Sequence, residues 1–401
     1  MRVKHLLALF AIVLFATGCQ GHTKRLYPQY PNILALYTRH RPGTLVLSGR
    51  WLAWSEIDDG RASESFVDPS VVVYDLEEQR RLPGEIHGVP LGIENNQLYL
   101  GRWSVQTPIG EDGIPNYDVW VLDVTSNQES LLYPDLDHMP IHGVYEWTDN
   151  PYPDECRAIL DCGEAFYTGC GVQVAVRDLH TNEHRDLGIW SRGTQLVDIS
   201  AGLALLAGGQ GICPIKFYPS TIYVVDLQSG EYRVLDWGHF TWGTYAGIAD
   251  RTVVLTDGAG HAVILEIDPT KPARVLLNAQ GIQARALISS DVLLYTPISD
   301  EQGSSALQTG LAAIDFRSGL YQVIDTQTYV RSVVGDGNHV AWISQDDRLF
   351  VSELHLLPAN RPAFLDAPVP TVDPLLALPL ATPEWKAPTR PAWLNQGTAT
   401  P

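Results

Sequence analysis

Along most of the chain, short runs of β-branched and aromatic residues alternate with turns built from Gly, Asp, Asn and Ser, and no long stretch carries apolar residues at a 3.6-residue period. Such a pattern predicts strands throughout. One unit recurs: a run ending in a turn, a strongly apolar strand, a loop, a second apolar strand closing on an aspartate, a tight turn, and a short strand rich in Arg and Leu. Its copies read SVVVYDLEEQRRLPG, DVWVLDVTSNQESLLYP, GVQVAVRDLHTNEHRDLG, STIYVVDLQSGEYRVLD, HAVILEIDPTKPARVLL and GLAAIDFRSGLYQVID, with a shortened seventh, DRLFVSELHLLP. Their upstream partners are RWLAWSE, QLYLGRW, VYEWTD, GLALLAG, RTVVLTD, DVLLYTP and HVAWIS.

The closing residues Asp75, Asp123, Asp178, Asp226, Asp268, Asp315 and Glu353 are spaced by roughly 38 to 55 residues, the period of a propeller blade. Four of the aspartates, Asp123, Asp178, Asp226 and Asp315, open a D-x-x-S/T-G/N type turn. Asp and Ser side chains satisfy turn amides there, and Gly or Asn tolerates positive φ, so the aspartate repeat is structural before it is anything else. The last unit ends at Pro358 without an outer strand, while the run Asn32 to Thr38 is a strand without a unit. Pairing the two would close the ring and leave no open edge. The expectation is an all-β, seven-bladed β-propeller over residues 30–357, closed by an N-terminal strand, with six or eight blades as alternatives. The blade pattern, hVAWIS then lyvvDl then rrL, resembles TolB-type and related WD- and kelch-like propellers over about 320 residues. That resemblance implies architecture and leaves activity open, because such propellers serve as scaffolds, ligand binders and enzymes alike.

The ends of the chain differ from this body. MRVKH is basic, and LLALFAIVLFATG after it is an apolar run too short to span a bilayer comfortably. It stops at Ala16-Thr17-Gly18-Cys19, which resembles the lipobox of bacterial lipoproteins, although Ala16 stands where that family most often has leucine. The resemblance implies a signal over residues 1–18, a lipidated Cys19 and a tether over residues 19–29, and hence an extracytoplasmic protein held at a bacterial membrane. Residues 358–401 carry a proline every few positions, a spacing that forbids helix interiors and central strands. They read either as a loose tail or as a strap that docks through its Leu and Trp residues.

The formal charge of −19 argues against nucleic-acid binding through phosphates. With Cys19 taken by lipid, Cys156, Cys162, Cys170 and Cys213 remain, an even number in an oxidising compartment. Two disulfides are expected, since the gaps contain no C-x-x-C pair and suit zinc poorly. Their connectivity stays open; pairing Cys162 with Cys170 would close a short loop, and Cys156 with Cys213 would tie the third unit to the fourth.

Loops joining second to third strands emerge on one face of a propeller together with the connections between blades, and several here are long. All four remaining cysteines fall in those of the third and fourth units. The same region is aromatic and acidic. Trp147, Asp149, Tyr152 and Glu155 from the third unit and Trp237, His239 and Trp242 from the connection between the fourth and fifth units are the candidate ligand-binding residues, suited to a protein, peptide or carbohydrate. The alternative is that these rings fill gaps between blades.

No catalytic pattern stands out. His180-Thr-Asn-Glu-His184 matches H-x-x-E-H but lies in a strand-turn-strand hairpin, where i and i+4 share no helical face. Asp135, Asp137, His138 and His142 offer ligands for a divalent cation, the one cofactor the pattern allows, against a polar loop between blades. There is no G-x-S-x-G elbow, P-loop or dinucleotide fingerprint. The sequence therefore reads as a binding or scaffold protein of the cell envelope with no catalytic residues. The alternative is a propeller enzyme acting on carbohydrate or another polymer at the cell surface, its carboxylate pair not recognisable from sequence.

Overall fold

The computed structural model describes residues 33–60, 67–104, 116–136, 138–151, 158–161, 166–169, 172–190, 194–208, 221–235, 245–256, 260–268, 273–298 and 309–357. They form an all-β propeller. After β1 (Ile33–Leu36), strands β2 (Arg41–Ser48), β3 (Trp51–Ile57), β4 (Ser70–Asp75), β5 (Arg80–Arg81) and β6 (Ile86–His87) make one sheet. Strands β7 (Val89–Glu94), β8 (Gln97–Trp103), β9 (Tyr117–Asp123) and β10 (Gln128–Leu136) make the next. A three-stranded sheet follows, of β11 (Tyr145–Pro151), β14 (Val172–Asp178) and β15 (Glu183–Trp190), with the hairpin β12 (Ala158–Asp161) and β13 (Phe166–Gly169) between its first two strands. Two four-stranded sheets come after it: β16 (Gln195–Ser200), β17 (Leu203–Gly208), β18 (Thr221–Asp226) and β19 (Tyr232–Leu235), then β20 (Tyr245–Ala249), β21 (Thr252–Thr256), β22 (His261–Glu266) and β23 (Arg274–Gln280). The rest is β24 (Ile282–Leu287), β25 (Val292–Pro297), β26 (Thr309–Asp315), β27 (Tyr321–Gly335), β28 (His339–Ser344) and β29 (Leu349–Glu353), which join β1 in a seven-stranded sheet.

Counted by sheets, the expected seven separate blades are not met: among the described residues five sheets have four or more strands. Two features account for the difference. Strand β27 runs unbroken for 15 residues, pairing with β26 through its first half and with β28 through its second, so the last two units share one sheet. Among the described residues the third unit has no first strand of its own, only an isolated bridge between Ile141 and Tyr145.

The repeat itself is regular. In six units the residue after the closing acid donates its backbone N–H to a carbonyl in the turn before the second strand: Leu76 to Arg50, Val124 to Asn96, Leu179 to Val144, Leu227 to Gly202, Phe316 to Asp291 and Leu354 to Asn338. In the fifth unit the bond comes from Ile267 to Arg251, so Glu266, and not the expected Asp268, closes the strand. In five units the aspartate Oδ1 accepts the amides two and three residues on. Asp123 takes those of Thr125 and Ser126, and Asp75, Asp178, Asp226 and Asp315 repeat the arrangement at 2.8 to 3.1 Å. The fifth residue of each of these turns, Gln79, Asn127, Asn182, Gly230 or Gly319, is left-handed, with φ between 51° and 75°. Those turns therefore favour Asn and Gly there. Glu353 departs from the pattern and pairs instead with His355.

Second and third strands supply the buried positions between sheets. Trp54 and Trp342, which occupy matching positions of the first and last units, are fully buried. The edge strand β1 pairs antiparallel with β29, Ile33 opposite Ser352 and Leu36 opposite Leu349, which is the pairing expected of the run Asn32 to Thr38. Ile33 and Leu36 are both buried. The first strands face the axis: β2 packs on β7 and on β27, β27 on β24, β24 on β20, and β20 on β16.

Candidate functional site

The candidate site lies at the end of the axis where the first strands begin, the end from which second-to-third loops emerge. Two cavities open there beside the seam between the last and first units. One, of about 420 Å³, is lined by Arg41 to Leu45, Ile57, Arg331 and Ser332. The other, of about 410 Å³, is lined by Gln327, Thr328, Tyr329, Gln345 and Asp346.

Bulges shape this end. The pairing of β2 with β3 slips between Pro42 and Leu45, that of β27 with β28 between Val330 and Ser332, and that of β24 with β25 between Ala284 and Ala286. A bulge leaves an extra residue outside the ladder and re-aims its side chain. The extra residues are Gly43 and Thr44 in β2, Arg331 in β27 and Arg285 in β24. At Gly43 a Cβ would stand 2.4 Å from Ser55 Oγ, so a larger residue would displace that hydroxyl. The Thr44 N–H donates to that same Oγ at 2.9 Å.

Arg331 ties the seam together. Its Nη1 lies 2.7 Å from Asp347 Oδ1, and its Nη2 donates to the Pro42 carbonyl of the first unit. Arg41 Nε lies 3.3 Å from Asp59 Oδ1. Beneath, the buried Glu56 carboxylate accepts the Trp54 indole N–H at 3.1 Å and the Arg39 amide at 3.2 Å. In the last unit the buried Asp325 accepts the Thr328 hydroxyl and the Gln327 amide, while Thr328 Oγ1 receives the Trp342 indole N–H at 3.3 Å. Arg285 donates from Nε to Thr296 Oγ1 at 3.0 Å and has no carboxylate partner among the described residues. Burial holds its guanidinium below the ordinary arginine value.

Across the axis, Asp198 links three units. Its Oδ1 lies 2.8 Å from His142 Nε2 and its Oδ2 accepts the Ile248 amide at 3.0 Å. The hydrogen bond to Asp198 raises His142 above the ordinary imidazole range. This pairing also bears on the divalent-cation reading: His142 is held by Asp198, and Asp135 accepts the Asn116 amide group. Among the described residues no group of three or more His, Cys, Asp or Glu is arranged to hold a metal. The two histidines of H-x-x-E-H separate, His180 meeting the Tyr99 hydroxyl at 3.1 Å while His184 lies in β15 opposite Arg177.

Of the residues singled out from sequence, Trp147 and Asp149 lie in β11, opposite Val176 and Val174 of β14. Tyr152, Glu155, Trp237, His239 and Trp242 lie outside the described residues, as do Cys19, Cys156, Cys162, Cys170 and Cys213. Sequence reading missed Arg41, Arg285 and Arg331. No sequence signal marked them, because each owes its place to lying at or beside a bulge in its ladder. No helix of the described residues is long and apolar enough to cross a membrane.

No protein-family model and no curated protein matches the chain. Among solved structures it is similar to the β-propeller domain of the trilobed protease from Pyrococcus furiosus, with 12% identity and a TM-score of 0.47 over 82% of this chain and 99% of that one. It is similar to the oligogalacturonate lyase from Vibrio parahaemolyticus, with 10% identity and a TM-score of 0.47 over 84% and 95%. It is also similar to the acylaminoacyl peptidase from Pyrococcus horikoshii, with 12% identity and a TM-score of 0.48 over 76% of this chain and 49% of that one, so it spans about half the peptidase's length. At these identities neither activity nor substrate carries over.

Proposed function

We propose that the chain is an extracytoplasmic propeller, tethered to a bacterial membrane by lipid on Cys19, that acts as a non-catalytic binding or scaffold protein of the cell envelope. The anchor reading is supported by the basic start, the short apolar run and Ala16-Thr17-Gly18-Cys19. In this reading Cys156, Cys162, Cys170 and Cys213 form two disulfides that stiffen neighbouring loops. The ring has seven blades: β27 serves two of them, and the third is reduced to three strands.

The observation that carries the binding role is the seam itself. Arg331, Asp347 and the Pro42 carbonyl hold the first and last units together, and polar cavities flank them. A preorganised polar face loses little conformational freedom on binding. The ligand class is a protein, a peptide or a carbohydrate presented at the envelope.

Arrays of envelope glycans and peptides, probed with the mature chain, test this. Binding is expected to fall on Gln345→Trp, which fills the second cavity, and to persist on Gln228→Trp, in the turn between β18 and β19 at the opposite end. Signals indifferent to both changes, or turnover of the bound probe, would contradict the reading.

A further inference from the structure

Arg285 and Arg331 are each the extra residue of a bulge in a first strand that faces the axis, in neighbouring units and two rungs apart along the ladder. Their surroundings differ. Arg331 is countered by Asp347 and spends a second donor on the Pro42 carbonyl. Arg285 has neither kind of partner: its Nε is held by the hydroxyl of the fully buried Thr296, and its two Nη groups meet no protein acceptor among the described residues.

Among the described residues the guanidinium groups of the exposed Arg39, Arg81 and Arg251 also have no carboxylate within 4 Å, but Arg285 is half-buried. The chain carries −19, and Arg50, Arg102, Arg177, Arg274 and Arg317 each have a carboxylate within 4 Å. Arg285 is half-buried, and a guanidinium withdrawn from water without a counter-charge costs free energy that a bound anion recovers. With Nε fixed to Thr296, the plane of the guanidinium is set. The two Nη groups keep up to four N–H donors between them, a fork that matches a planar or tetrahedral oxyanion.

We propose that Arg285 anchors a binding site for a small oxyanion, a carboxylate or phosphate group, at the mouth of the axis, with Thr296 as its positioning residue. This assigns a ligand class to the binding face proposed above and rests on that reading. Arg331 takes no part in holding the anion, because Asp347 already neutralises it.

The test is a thermal titration of the mature chain with inorganic phosphate and with succinate, each against sodium chloride at equal ionic strength. Either oxyanion is expected to raise the melting temperature of the wild type and of Arg80→Gln, an exposed arginine on the outer strand β5, and whichever acts more strongly identifies the group. Arg285→Gln is expected to weaken that response at least tenfold while melting normally in chloride. Arg285→Lys, which keeps charge but loses the fork, is expected to retain part of it. An unchanged response in Arg285→Gln, or none in the wild type at tens of millimolar, overturns the site. If the anion response is absent while array binding still depends on Gln345, the oxyanion site falls and the binding face stands; if both are absent, the face falls with it.

Discussion

Asp198 receives His142 Nε2 on one carboxylate oxygen, at 2.8 Å, and the Ile248 amide on the other, at 3.0 Å, so one side chain of the fourth unit fastens the third and the fifth. Among the described residues the third unit lacks a first strand, and this contact stands where strand packing would otherwise hold it. Asp198→Ala should cost about 1–3 kcal/mol, because it leaves the Ile248 amide without its acceptor. Denaturant titration checks the figure.

The pH dependence of the same contact has a definite sign. His142 is raised by its bond to Asp198, so its contribution is fully present below the unfolded imidazole value near 6.5 and is lost as pH rises through the folded value. His142 is more than half exposed, 57% by side chain, so solvent screening keeps the effect below about 1 kcal/mol. Melting curves from pH 5 to 9 should show His142→Gln closing the gap to wild type as pH rises. A gap that widens with pH would contradict the assignment.

Two matched turns separate burial from local bonding. Asp75 is fully buried, accepts the Glu77 and Glu78 amides and is paired with Arg50, whereas Asp226 accepts its two amides at the surface. Asp226→Ala should cost about 1 kcal/mol. Asp75→Ala should cost roughly 3 kcal/mol, because it also strips Arg50 of its principal partner. Equal losses in denaturant titrations would show that the turn bonds alone matter.

Gln79 is the one turn residue of its set that lacks the chemistry for its conformation: at φ 51° it stands where the other units have Asn or Gly. Gln79→Asn should raise stability by about 0.5–1 kcal/mol, measured as a higher denaturant midpoint at unchanged slope.

Closure of the ring rests on β1. Leu36 is buried opposite Leu349, and Leu36→Ala should cost about 2–4 kcal/mol. Deleting residues 28–40 should abolish cooperative melting, and truncation after Arg361 should lower the melting temperature far less. An intact melting curve for the first deletion would contradict closure through β1.

Much of the fold was legible because its signals are local. An aspartate followed four residues later by Asn or Gly marks a turn whatever surrounds it, and Asp123, Asp178, Asp226 and Asp315 each mark one. The lone run at Asn32 was legible by elimination. The merging of the last two units was not, because Tyr321 to Gly335 contains no Gly or Pro before its end to announce that one strand serves two ladders. The candidate site was less legible still. Whether Arg285 and Arg331 leave the ladder depends on a one-residue slip in pairing, and no composition rule distinguishes them from the arginines of outer strands. Aromatic and acidic density drew the sequence reading toward Trp147 and Trp237, whereas the arginines of the axis lie in short, otherwise apolar runs.

The central claim, a propeller tethered outside the cytoplasm by its own cysteine, is tested most directly by the intact mass of the protein extracted from membranes. The account predicts a mature chain that begins at Cys19, carries a diacylglycerol thioether and shows the mass loss of two disulfides among Cys156, Cys162, Cys170 and Cys213. A chain that retains Met1, or that begins elsewhere with an unmodified amine and an unmodified Cys19, would contradict it.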